Sequence, residues 1–395
     1  MATIVDGKKR IPFMRGMLVH YLIERGFDPD EAYELADQVR DQVRQKKSVS
    51  RKEVLAVIGA LLQQRHNGRA VGDLVFWERR PTTIRVDRSG GTRPFSKELL
   101  SHSIQASGLQ PDQAYEVASA VEATLMDRRR AVVQHEEIEE LVEGLLAEHH
   151  GKAFAERYAV WRAWGRLSKP LAILIAGASG VGKTTLAISL ANLLDIPRVV
   201  ATDDIRQIMR LTLAPKFMPS IHTSSYSAWS SVQQTSAGAG VDPLIAGFRE
   251  QARVVNVGVQ AILTRCVREN TSVIIDGVHL LPEYIDLTGI EDAVFVVPMC
   301  LALEDRAAYA ERFTRRAKVA PARGSDRYLA HMDDILKIQE HILRLHGERD
   351  LPVIDTNAVE DVTSAAVMVV VETLQDREEV VRAMEGNGKK GKKKK

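Results

Sequence analysis

The sequence predicts an α/β chain. Its C-terminal half reads as a five-stranded parallel sheet covered by helices, preceded by a mainly helical, duplicated N-terminal part. Three observations carry this reading. The hydrophobic period changes at Leu171, from the helical spacing of the first half to short continuous apolar runs. Runs at 171–176, 198–201, 272–276, 293–298 and 352–355 alternate with helical stretches, the pattern of strands buried on both faces by crossover helices. The first 150 residues repeat themselves at an offset of about 82.

The repeat is legible residue by residue. Val5-Asp6-Gly7 with Pro12-Phe13 answers Val86-Asp87-Arg88 with Pro94-Phe95. Leu18, Gly26, Pro29, Ala36 and Val39 answer Leu100, Gly108, Pro111, Ala118 and Val121. Each copy predicts a short β-ribbon followed by three helices, at 15–25, 29–45 and 50–65 in the first and 97–107, 111–127 and 135–149 in the second. Pro29 and Pro111 suit first helical positions. The second copy carries Arg93-Pro94-Phe95-Ser96-Lys97 and resembles the ATP-cone, a small regulatory nucleotide-binding module. The first, with Pro12-Phe13-Met14-Arg15, departs from that opening at the serine. A helical scaffold that binds nothing would show the same periodicity.

The expected boundaries are 1–83 and 84–150 for the two ATP-cone-like copies and 151–169 for a helical linker holding Trp161 and Trp164. The α/β domain follows at 170–386, with a disordered lysine-rich tail at 387–395. The polar stretch 64–83 joins the two copies. The segment after Asp355 reads as one last helix, about 359–386.

A chain of 395 residues accommodates two or three domains, and 45% hydrophobic with 27% charged residues is ordinary for a soluble globular protein. Six lysines among the last seven residues hide an acidic body, because without them the net charge of +2 becomes −4. That balance argues against a nucleic-acid substrate. The two cysteines, Cys266 and Cys300, lie far apart with no metal-ligand spacing, which suggests a reducing, cytoplasmic setting. No apolar run reaches membrane-spanning length and no signal peptide is apparent. Self-association is left open.

The strongest chemical signal is Gly177-Ala178-Ser179-Gly180-Val181-Gly182-Lys183-Thr184, a full G-x-x-x-x-G-K-[ST] match between a buried strand and a helix. Backbone N–H groups of Gly177, Ser179, Gly180 and Gly182, with Lys183, Thr184 and Thr185 at the helix start, are expected to cradle the phosphates of ATP. Lys183 would reach the β- and γ-phosphates and Thr184 would place its hydroxyl on Mg²⁺. Asp203 and Asp204 follow the second strand, where ligands of open α/β sheets sit. Either could orient or deprotonate a hydroxyl acceptor. Arg206 and Arg210, one turn apart, suit a phosphate or carboxylate. Asp276 ends the third strand, as an outer-shell Mg²⁺ ligand does in P-loop enzymes. His279 reads as a substrate contact or a turn residue.

Arg306, Arg312, Arg315, Arg316, Arg323 and Arg327, broken by Pro321 and Gly324, suggest a lid over the transferred group, with Arg312 and Arg316 expected to be catalytic. The hydroxyl-rich run of Ser224, Ser225 and Tyr226 suits a small acid.

Taken in order, these segments resemble the 2-phosphoglycerate kinases over nearly the whole chain. The resemblance implies ATP- and Mg²⁺-dependent phosphorylation of the 3-hydroxyl of 2-phosphoglycerate. Asp203 or Asp204 would orient that hydroxyl, with Arg206 and lid arginines on the acceptor's phosphate and carboxylate. A kinase of 3-phosphoglycerate, glycerate, another hydroxy acid or seryl-tRNA, and a non-catalytic nucleotide sensor, are the alternatives. A pure sensor has no need of Asp203, Arg206 and the arginine lid.

Overall fold

The computed structural model describes residues 3–6, 9–24, 27–44, 46, 48–65, 84–88, 91–128, 130–231, 242–319 and 325–391. The first copy opens with antiparallel strands β1 (Thr3–Asp6) and β2 (Lys9–Pro12), then α1 (Arg15–Glu24) and α2 (Pro29–Arg44). A strand that the sequence pattern does not predict, β3 (Ser48–Ser50), pairs parallel with β1 before α3 (Arg51–Arg65). Three residues are too few to show a period. Its only signature is buried Val49 between two exposed serines. Ser50 and Glu53 then start α3 reciprocally: the Ser50 N–H donates to Glu53 Oε2 at 2.9 Å and the Glu53 N–H to Ser50 Oγ at 3.3 Å. The apolar faces of these elements close on Ile4, Phe13, Leu18, Leu35, Val39 and Ile58.

The second copy repeats the pattern with β4 (Arg85–Arg88), β5 (Gly91–Pro94), α4 (Lys97–Gln105), α5 (Pro111–Asp127), β6 (Val132–Gln134) and α6 (His135–His149), in sheet order β5-β4-β6. Ser96 caps α4 by accepting from the Leu99 N–H. The expected linker is α7 (Lys152–Gly165), whose Trp161 and Trp164 rings lie 4.7 Å apart. Arg162 of α7 and Arg166 just past its end both meet Glu139 of α6, a carboxylate only 6% exposed.

The chain divides into two compact units, one of Met1–Val86, Thr92–Pro94 and Leu125–Val133, the other of Asp87–Gly91, Phe95–Thr124 and Gln134–Lys395. Ala106, just past α4, is fully buried in the core of the second unit, and Gln110 Nε2 donates to Ser364 Oγ at 3.3 Å.

The sheet-bearing part of that unit runs β7 (Leu171–Ala176), α8 (Lys183–Leu193), β8 (Val199–Ala201), α9 (Thr202–Thr212), α10 (Pro243–Glu269), β9 (Val273–Asp276) and β10 (Phe295–Ala302). It continues with α11 (Arg306–Val319), α12 (Ser325–Ala330), α13 (Met332–Gly347), β11 (Val353–Asp355), α14 (Val362–Gln375) and α15 (Glu378–Gly391). The five strands stand in the order β11-β10-β7-β9-β8, every pair parallel. All residues of β7 and β9 are buried, as continuous apolar runs require when helices cover both faces. The chain crosses from β7 to β8 on one side and from β9 to β10 on the other. A topological switch therefore opens at the carboxyl ends of β7 and β9, where such sheets bind ligands.

The last segment is two helices rather than one. Asp361 caps α14 by accepting from the N–H groups of Thr363 and Ser364, and the chain turns at Asp376 and Arg377 before α15. The turn lets Val380 bury completely and Lys169 pair with Glu379 at 3.0 Å. The second helix continues past Gly386 to Gly391, beyond the expected start of the tail; 392–395 lie outside the described residues, as does most of the joining stretch, 66–83.

Candidate active site

A cleft of about 1170 Å³ opens at the switch point and is lined by the β7–α8 loop, the start of α9, the turn around Thr223, and residues of α11, α12 and α14. Its phosphate end depends on glycine. Gly177 and Gly180 hold φ of 138° and 95°, in the region side chains disfavour. A Cβ on Gly177 would lie 2.5 Å from the Leu301 carbonyl oxygen, and one on Gly180 would lie 2.7 Å from the Phe313 ring. The loop is thus held between β10 and α11. Gly182, at φ 101°, turns the chain into α8, whose N-terminal N–H groups and partial positive charge face the cleft.

Lys183 Nζ donates to the Ala178 carbonyl at 2.7 Å, across the mouth of the loop. Thr184 Oγ1 donates to Asp276 Oδ2 at 2.8 Å, joining α8 to the end of β9. Asp276 is 2% exposed and its other oxygen, Oδ1, is buried without a hydrogen-bond partner. Burial pushes this carboxyl up, helped by Asp203 and Asp204 and opposed by the Thr184 hydrogen bond and by Lys183.

Across the cleft, Asp203 and Asp204 occupy the first turn of α9. Arg206 donates to Asp203 Oδ1 at 3.1 Å and to the Thr223 carbonyl, and its Nε is buried without a partner. Burial works to raise the Asp203 carboxyl, but the positive side of its surroundings, Arg206 and Lys183 included, holds it below the ordinary range. Arg210 also lines the cleft and donates to Gln207 Oε1.

The arginine segment divides in a way that composition does not reveal. Arg312, Arg315 and Arg327 line the cleft. Arg312 donates to the carbonyl of Val181 at 3.1 Å and to Thr356 Oγ1 at 2.9 Å, clamping the phosphate loop to the residue after β11. Arg327 donates to Ser224 Oγ at 2.6 Å. Arg306 pairs with Asp333 at 2.6 Å and is absent from the lining, where three arginines of this segment suffice. The side chain of Arg316, and Arg323 with Pro321 and Gly324, lie outside the described residues. Six cationic side chains (Lys183, Arg206, Arg210, Arg312, Arg315, Arg327) face three carboxylates (Asp203, Asp204, Asp276), a surplus that favours polyanionic ligands.

Three expected contacts, His279, Tyr226 and Ser225, are absent from the cleft lining. His279 is fully buried away from the cleft, with Nδ1 paired to Thr202 Oγ1 at 2.8 Å and Nε2 to Gln251 Oε1 at 3.0 Å, so neither ring nitrogen is left for a substrate. Burial pushes its pKa down to about 4. Tyr226 is 5% exposed and stacks on His331 with ring centroids 4.6 Å apart, a packing role. Ser224 lines the cleft and Ser225, which starts a turn of 3₁₀ helix, does not. Thr356 and Thr363 line it without having been singled out from the sequence. Isolated threonines after a strand and at a helix start carry no pattern.

Residues 84–166 match the ATP cone domain, from the start of the second copy through α7. A 2-phosphoglycerate kinase of Pyrococcus furiosus is 35% identical over 288 residues, covering 73% of this chain and 93% of that relative. One of Pyrococcus horikoshii is 34% identical, covering 77% and 97%, and one of Methanopyrus kandleri is 33% identical, covering 73% and 86%. With a complete phosphate loop facing an acidic and arginine-bearing wall on one parallel sheet, and identity of this extent, the chain belongs to the 2-phosphoglycerate kinase family.

Proposed function

We propose that the chain transfers the γ-phosphoryl group of ATP to the 3-hydroxyl of 2-phosphoglycerate, giving 2,3-bisphosphoglycerate and ADP. The observation that carries this is the meeting, in one cleft, of the phosphate loop with an acidic and arginine-bearing wall. A nucleotide switch needs only the first. The names of the relatives support the acceptor.

The 3-hydroxyl oxygen attacks the γ-phosphorus as the bond to the β-phosphate oxygen breaks, and the hydroxyl proton passes to Asp203 or Asp204. Asp203, held ionised at neutral pH, is able to accept a hydrogen bond from that hydroxyl throughout. Lys183 moves from the Ala178 carbonyl to the transferring phosphate, exchanging a neutral hydrogen bond for a charge-assisted one. Arg206, whose Nε is unpartnered, binds the acceptor's own phosphate together with Arg210, and Arg327 holds the carboxylate end beside Ser224. Arg315 faces the group in flight, where charge spread over three oxygens is neutralised by position alone.

A divalent cation suits the pair of Thr184 and Asp276. The set is all oxygen, and the orphaned Asp276 Oδ1 is a buried acceptor that an ion's water shell would satisfy. Among the described residues no cluster of three His, Cys, Asp or Glu could hold a metal, consistent with an ion held largely by phosphates. Held there by Thr184 and Asp276, Mg²⁺ would neutralise charge on the transferring phosphates.

The ATP-cone match suggests that nucleotide also acts through the second copy as a regulator. Among the described residues no helix is long and apolar enough to cross a membrane, and the buried, unpaired Cys266 and Cys300 favour a reducing compartment such as the cytoplasm. An acceptor panel tests the proposal: ATP and Mg²⁺ with 2-phosphoglycerate, 3-phosphoglycerate, glycerate or buffer, products identified by mass. Bisphosphoglycerate from 2-phosphoglycerate alone is expected. Transfer to none of the three would remove the acceptor assignment.

A further inference from the structure

Behind the acceptor wall lies a buried polar chain in which each hydrogen has one place to go. Thr202, Gln251 and His279 are each 0% exposed. Gln251, on α10, donates from Nε2 to the carbonyls of Ser220 at 2.5 Å and Thr223 at 3.1 Å. An amide nitrogen has two hydrogens, so both are spent and Oε1 is left to accept. Its partner is His279 Nε2, which therefore carries the ring proton, and Nδ1 accepts from the Thr202 hydroxyl. Asn256 Nδ2 donates to the His279 carbonyl at 2.6 Å and fixes the same residue from the backbone side.

Both ends of this chain arrive at Arg206. The Thr223 carbonyl that takes Gln251 Nε2 also takes Arg206 Nη1, and Thr202 immediately precedes Asp203, which takes Arg206 Nη2. A closed ring of contacts results, through Thr202, His279, Gln251, Thr223, Arg206 and Asp203. Gln251 is the member that fits no other side chain. A glutamate would set a carboxylate oxygen against two carbonyl oxygens; an apolar residue would leave His279 Nε2 unpaired and the Thr223 carbonyl held by Arg206 alone.

We propose that Gln251 is a positioning residue for acceptor recognition: by holding the Thr223 carbonyl, it aims the Arg206 guanidinium at the acceptor's phosphate without touching the acceptor. The inference rests on the reading of Arg206 as the acceptor-phosphate ligand.

The test measures KM for 2-phosphoglycerate and for ATP, kcat and thermal melting in Gln251→Met and Gln251→Glu, each alone and combined with Arg206→Ala. Both single variants should raise the acceptor KM about tenfold, the size of one charge-assisted hydrogen bond, with the ATP KM unchanged. In the Arg206→Ala background they should add nothing, because the group they aim is gone. Additive effects, an equal rise in both KM values, or an unchanged acceptor KM would overturn the proposal. Absence of a melting transition in both Gln251 variants would assign the chain to stability alone and overturn it as well. Arg206→Ala separates the two readings. If it raises both KM values alike, the acceptor assignment itself fails; if it is selective and the Gln251 variants are not, only this inference fails.

Discussion

Gly277→Ala perturbs the site at a single carbon. Gly277 lies between Asp276 and the His279 turn, and a Cβ there would stand 1.7 Å from Thr202 Oγ1 and 2.6 Å from Thr202 Cβ. Atoms do not approach so closely, and Thr202 cannot retreat, since it is fully buried and its hydroxyl is bonded to His279. The start of α9 must move or the Thr202 rotamer must change. Overpacking of this kind costs about 1–3 kcal/mol. Leaving the buried His279 Nδ1 without its donor adds about 1–3 kcal/mol. The sum, about 2–6 kcal/mol, corresponds to a fall in melting temperature of roughly 5–20 °C for a domain of this size. Asp203 is displaced with Thr202, so kcat should fall by about tenfold or more beyond any loss of folded protein, measured by active-site titration alongside turnover. A variant melting within about 2 °C of the parent, with unchanged kcat, would refute the packing argument.

Lys183→Ala should lower kcat by at least about 10²–10³-fold, because it removes a preorganised cation from the transferring phosphate; normal turnover would remove the loop from the reaction. The buried neutral His279, pushed down to about 4 from 6.5, gives stability that is complete above pH 6.5 and is lost as pH falls from 6.5 towards 4. Melting temperature should fall over that interval in the parent and fall less in His279→Asn; parallel curves would place the proton elsewhere. Removing residues 389–395 should leave both KM values and kcat unchanged in steady-state assays, since the described lining of the cleft comes from residues 179–363, and a large loss would show that the lysines take part.

The parallel sheet was legible because its strands are buried on both faces, so that Leu171-Ala172-Ile173-Leu174-Ile175-Ala176 cannot be mistaken for an amphipathic element. The phosphate loop was legible because its glycines answer a local geometric demand. The short strands β3 and β6 were not, since three residues pair through backbone atoms and leave almost no trace in side-chain periodicity. The same limit applies to His279. A histidine after Asp-Gly at a strand end invites a substrate, and only the placement of Gln251 and Thr202, far away in sequence, shows both ring nitrogens occupied. Among the arginines, charge indicated the segment, but rotation about α11 and α12 decides which guanidiniums reach the cleft.

The two copies of the repeat differ in how they could be lost. The first closes its own core from Ile4 to Ile58. The second contributes Ala106 to the core beneath the phosphate loop and anchors Gln110 on the first turn of α14, next to Thr363 in the cleft wall. A descendant of this gene that shortened at its amino end could shed the first copy with its core intact, whereas shedding the second would open a hole in the enzyme.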